Sequence, residues 1–152
     1  MFKSLIHIFL FLVISSALYS HDYNKDNIEI FHPIIKVVKE DAKVGAGYMK
    51  ITNNSDKEIE LIGIKAEIAQ TQEIHEVILK KNIYKMRPIK KNLIIESGSI
   101  IEFKPKSYHF MFFDINKNLK ENEMLDAKLI FSNNLIIPIK FKIIIGNKEH
   151  KH

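Results

Sequence analysis

The 152-residue chain has no cysteine, one arginine, five glycines and four prolines. Without thiols there can be no disulfide, thiolate metal site, Cys nucleophile or dithiol redox centre, so a reactive metal site has only His, Met, Asp and Glu to draw on. So few glycines and prolines exclude a collagen-like or linker-dominated chain, and a hydrophobic share of 46% excludes disorder. The length suffices for one core and not for two. Arg87 is the one guanidinium among 23 basic residues, and recognition of phosphates and base edges favours that forked donor, so no nucleic-acid partner is expected. Enzyme signatures are missing too. Gly45-Ala46-Gly47 lacks the spacing of a dinucleotide loop, and there is no P-loop lysine, GxSxG elbow or HExxH helix. The acids are scattered among lysines, with no pair set apart for general acid and base, and the chain reads as a non-enzyme.

What is present begins with an address. Residues 1–20 carry Lys3, an apolar run from Leu5 to Ile14 and then Ser15, Ser16 and Ala17, the order of a secretory signal peptide. The run is short for a hydrocarbon layer of about 30 Å, so cleavage between Ala17 and His21 is expected in preference to a retained anchor. No stable membrane insertion follows cleavage, and no cysteine is available for a lipid. The mature chain then holds 22 bases against 18 acids. An exported chain without disulfides points to an oxidising compartment, the periplasm in a Gram-negative cell, with stability drawn from packing.

From Ile28 onward the dominant period is two, the alternation of half-buried strands. Leu135, Ile137, Ile139, Phe141, Ile143 and Ile145 share one face, opposite Pro138, Lys140 and Lys142, and Leu125, Ala127, Leu129 and Phe131 behave alike. Further runs cover Ile28 to Val38, Val44 to Ile51, Glu58 to Ala69, Glu73 to Leu79, Ile83 to Pro88, Leu93 to Ile95, Ser99 to Phe103 and Tyr108 to Ile115. Asn, Gly, Ser and Pro punctuate them. Short strands so turned predict an all-β, antiparallel sandwich or barrel over residues 21–145, followed by a polar tail at 146–152.

His109 and Met111 stand two apart on a strand, hence on one face with Cα atoms about 6.5–7 Å apart, while Tyr108, Phe110 and Phe112 point the other way. An isolated pair of this kind is more often packing than a metal site. A second pair alters the balance. His75 and Met86 flank Lys80-Lys81, and a four-residue loop from Leu79 to Asn82 makes paired residue numbers sum to 161, placing His75 directly opposite Met86. Two imidazoles and two thioethers, all neutral and without thiolate or carboxylate, favour Cu(I) over Zn(II), Mg(II) or Ca(II).

His75, ten residues, Met86, then His109-x-Met111 resembles the copper-binding signature of the periplasmic copper chaperone family PCu(A)C. Gly47-Tyr48-Met49-Lys50-Ile51-Thr52-Asn53, Glu73-Ile74-His75-Glu76, Met86-Arg87-Pro88 and Phe103-Lys104-Pro105 resemble the family's strands in turn. The resemblance implies a cupredoxin-like Greek-key β-sandwich that binds Cu(I) through His75, Met86, His109 and Met111. It also implies delivery of the ion by ligand exchange to cytochrome c oxidase subunit II, alongside Sco-type proteins. Two departures stand out. The 22 residues between Met86 and His109 are one more than the family's usual spacing, and Lys106-Ser107 stands where the family commonly has glycines, so a turn needing positive φ would strain Lys106. Outside this set, His150 and His152 form an HxH pair suited to Cu(II) in a tail that otherwise reads as solvated, and His21 would chelate Cu(II) if cleavage freed its amine. His32, Met49 and Met124 read as structural. The rival reading is an exported β-sandwich that binds no metal and serves as an adhesion or assembly module.

Overall fold

A computed structural model describes residues 22–146. The signal segment 1–20, His21 and the tail residues His150 and His152 therefore lie outside the described residues. Eleven strands follow one another: β1 (Tyr23–Lys25), β2 (Ile28–Val37), β3 (Val44–Asn53), β4 (Ile59–Ala66), β5 (Ala69–Lys80), β6 (Ile83–Pro88), β7 (Leu93–Ile95), β8 (Ile100–Phe103), β9 (His109–Ile115), β10 (Met124–Phe131) and β11 (Ile136–Ile145). Most of the period-two runs became strands because they bury one face; β6 is the exception, exposed along its whole length. In β11, Ile137, Ile139, Phe141 and Ile143 enter the core while Pro138 and Lys140 face water. Only β1, three residues long, lies outside the expected runs. The run expected from Glu58 to Ala69 breaks at Glu67-Ile68, so β5 starts at Ala69.

The hydrogen-bonded order is β6-β5-β9-β3-β2-β11-β10-β4-β7, with β1 on β2 and β8 on β3. Pairing is antiparallel except between β11 and β2, which run parallel with Ile143 opposite Ile35. The sheet is therefore mixed, where the sequence predicted antiparallel pairing throughout. Alternation reports which side chains are buried and carries no information on strand direction. The ordered path folds over itself into the cupredoxin-like sandwich: Phe112 of β9 meets Phe141 of β11 edge to face at 5.7 Å, although β3 and β2 lie between them in the sheet.

One junction positions the functional face. The first half of β3 pairs with β9, Gly47 opposite Phe110, and its second half pairs with β8, Met49 opposite Phe103. Phe103 stacks on Phe110 at 4.4 Å. A Cβ on Gly47 would lie 2.8 Å from the Phe112 ring, so this close approach needs glycine. The β8–β9 turn closes through the Lys104 amide donating to the Tyr108 carbonyl, and Lys106 does adopt positive φ, 62°. The turn thus holds a strained lysine where glycine would be relaxed, immediately ahead of His109.

Candidate metal centre

Strand β9 delivers its first residue, His109, opposite His75 of β5, and sets Met111 opposite Glu73. Directly paired residues share a face, so His75, Glu73, His109 and Met111 all project from the same side of the sheet. The two imidazole centroids are 5.7 Å apart at 60°. The His75 ring also lies 6.0 Å from that of Phe113, which places it over the stretch of β9 where Met111 stands between His109 and Phe113.

The hairpin corrects the expected register. Lys81 and Asn82 take φ of 51° and 60°, the left-handed pair of a two-residue type I′ turn, and Leu79 and Lys80 belong to the strand. Paired numbers therefore sum to 163: His75 faces Pro88, and Met86 faces Val77. Four loop residues were expected because Lys80-Lys81-Asn82 reads as punctuation, yet hairpin twist selects the shorter turn. The shift is by two, so Met86 keeps the His75 face and becomes its diagonal neighbour. Diagonal pairs are about 7–8 Å apart, within reach of a long side chain.

Exposure is graded across the four, with Met111 partly buried. His109 is 4% exposed, the His75 side chain 13% and Met86 68%. The two ring systems are held differently. His109 Nδ1 lies 3.0 Å from the Ser107 carbonyl oxygen, which can only accept, so this nitrogen carries the proton and donates. Nε2 of the neutral ring is then a bare lone pair, and it is buried without a hydrogen-bond partner. An orphaned acceptor of this kind costs about 1–3 kcal/mol, while a ring oriented by its other nitrogen is the usual arrangement of a metal-ligating histidine. His75 Nε2 donates to Glu73 Oε2 at 2.7 Å. Ligation by His75 Nδ1 keeps that contact, and ligation by Nε2 breaks it. The sequence places Glu73 on the strand of His75 without assigning it a part in the site; its position two residues before His75, and so on the same face, is the available signal. Below the preceding turn, Lys104 beside Glu102 holds that carboxyl below the usual range.

Among the described residues, no three of His, Cys, Asp or Glu gather where they could hold a metal ion. An ion at His75 and His109 would therefore need Met111 and Met86, thioethers that suit a soft monovalent ion.

Fold and face together define a cupredoxin-like β-domain with a histidine and methionine cluster on one sheet. The model of the family described as "Putative lipoprotein LpqE-like" matches residues 28–143. The chain belongs to this LpqE-like family, the family of the PCuAC domains. Among solved structures, it superposes on the copper-bound PCuAC domain from PmoF2 with a TM-score of 0.68 at 20% identity, covering 82% of this chain and 98% of that one. The solution structure of CuI-DR1885 from Deinococcus radiodurans gives a TM-score of 0.60 at 20% identity, covering 78% of each chain. A curated relative, "Uncharacterized protein RP573" of Rickettsia prowazekii (strain Madrid E), is 24% identical over 106 residues, 70% of this chain and 59% of its own length. The chain thus spans about three fifths of that relative.

Proposed function

We propose that this protein is a periplasmic copper chaperone that binds Cu(I) through His75, Met86, His109 and Met111 and hands it on by ligand exchange. The observation that carries the reading is the buried Nε2 of His109. It is held as a lone pair by the Ser107 carbonyl, left without a partner, and set in the strand position facing His75. A β-sandwich that bound nothing there would gain by an apolar residue at this position. Its structural neighbours include a copper-bound PCuAC domain and CuI-DR1885, which supports the same reading.

Delivery, as distinct from storage, calls for ligands that leave one at a time. Met86 on an exposed strand is the donor an acceptor can replace first, followed by Met111 and the largely covered His75, with His109 last. No covalent bond of a substrate is made or broken, so the role is not enzymatic. The recipient implied by the family resemblance is the copper centre of cytochrome c oxidase subunit II, with Sco-type proteins alongside, and export would be directed by residues 1–20.

Titration with Cu(I) under a reductant and against a competing chelator tests the reading. One ion per chain is expected for the wild type, and none competitive with the chelator when His109 and Met111 are both replaced by Ala. Equal copper uptake by the double variant, or none by the wild type, would overturn it.

A further inference from the structure

Strand β9 pairs with β5 only as far as His75, so from Glu76 onward the β5–β6 hairpin has no third strand and projects as a two-stranded arm. Such a ribbon has little stability of its own. It nevertheless exposes large apolar side chains: Leu79 at 59%, Ile83 and Tyr84 at 60%, and Met86 at 68%. Leu79 faces Tyr84, and Val77 faces Met86. All four share the face of His75, so an apolar strip runs from the arm's tip to the candidate metal centre.

Charge is segregated onto the same segment. Between Val77 and Ile95 there are six bases and no acid, and the remainder of the chain holds 17 bases against 18 acids. The chain's positive charge therefore resides in this arm and the turn that follows it. Arg87 is paired with Glu76, but Lys80, Lys81, Lys85, Lys90 and Lys91 enter no ion pair among the described residues. Lys106 adds a further ammonium 5.6 Å over the Tyr84 ring. Lys80 and Lys85, opposite Ile83 and Ile78, stand on the reverse face of the ribbon, so the apolar strip has Lys81 at its tip and Lys106 beside Tyr84 and sits within a field of one sign; an apolar centre with an aromatic and a methionine in such a field has the anatomy of a protein interface. The charge steers encounter, and the apolar anchors hold the docked pair.

We infer that the β5–β6 arm is the docking surface for an acidic copper-accepting protein, with Leu79, Tyr84 and Met86 at the centre of the contact, Lys81 at its edge, and Lys80 and Lys85 on the reverse face adding to the positive field that steers the partner in. The inference rests on the copper reading and specifies the partner's chemistry: a carboxylate-rimmed face that brings its own ligands against Met86.

The test uses the mature chain loaded with Cu(I) and the apo soluble copper domain of cytochrome c oxidase subunit II from the same organism. Lys80→Glu/Lys81→Glu/Lys85→Glu and the milder Lys→Gln triple are compared with wild type, each first titrated with Cu(I) against a chelator and checked for fold by circular dichroism. Unchanged copper affinity is expected, with transfer in 20 mM NaCl slowed about tenfold or more by the Glu triple, less by the Gln triple, and the difference erased in 500 mM NaCl. Equal transfer rates at low salt would overturn the inference. So would unchanged transfer combined with lysine-dependent binding to phosphatidylglycerol vesicles, which would make the arm a lipid contact. A wild type that takes up no Cu(I) in the titration would remove the copper reading first, and the docking inference with it.

Discussion

Replacing His109 by Leu separates a ligand from a core residue, because the two roles predict opposite signs for stability. The imidazole is 4% exposed and leaves one nitrogen unsatisfied, at a cost of about 1–3 kcal/mol. Leu fills a similar volume and removes that cost. It also loses the hydrogen bond to the Ser107 carbonyl, about 0.5–1.5 kcal/mol, in a half-exposed turn where water can take its place. The net is a copper-free protein more stable by about 1 kcal/mol, or roughly 4 °C in Tm for a domain of this size. Copper reverses the order. At one hundred times its Kd, a ligand that binds only the native state adds about 2.7 kcal/mol to the wild type, and His109→Leu gains nothing comparable. Thermal unfolding by circular dichroism, with and without Cu(I) under a reductant, reads both halves. A copper-free His109→Leu melting well below wild type, by about 4 °C or more, would show that the imidazole is satisfied structural packing and would refute the reasoning.

Gly47→Ala places a methyl 2.8 Å from the Phe112 ring and 3.1 Å from Phe110 Cβ, and both phenylalanines are fully buried. A loss of about 1–3 kcal/mol in urea unfolding is expected, with weaker Cu(I) binding because β9 carries His109; a change within about 0.5 kcal/mol would contradict the packing argument. Met86→Leu replaces the thioether by a branched alkyl group of similar volume at a side chain that is 68% exposed. Stability should stay within about 0.5 kcal/mol while Cu(I) affinity in chelator competition falls about tenfold or more; unchanged affinity would remove Met86 from the ligand set.

Most strands were legible because a sandwich buries one side of them, and burial writes period two into the residues; β6 alternates although both its faces are exposed. Ten of the eleven strands coincide with the apolar runs expected from the sequence, and β1, of which Tyr23 is the one apolar residue, does not. Register was not so written. Nothing local distinguishes a four-residue loop at Leu79 to Asn82 from the two-residue turn at Lys81 and Asn82, whose positive φ values serve the twist of the whole hairpin. The parallel β2–β11 pairing, likewise, depends on where two distant strands come to rest.

Sequence by itself determined the menu of chemistry and one of its pairings: no cysteine, imidazole and thioether as the neutral donors, and the placement of His109 with Met111 on one face, because strand geometry fixes the direction of residues two apart. Tertiary structure alone decided that His75 faces His109 across β5 and β9, that Met86 lies diagonal to the pair on a projecting arm, and that the His109 Nε2 is buried and bare. Those are relations between segments far apart along the chain. They exist only once long-range pairing has closed, and solvent access to a nitrogen is a property of everything packed around it.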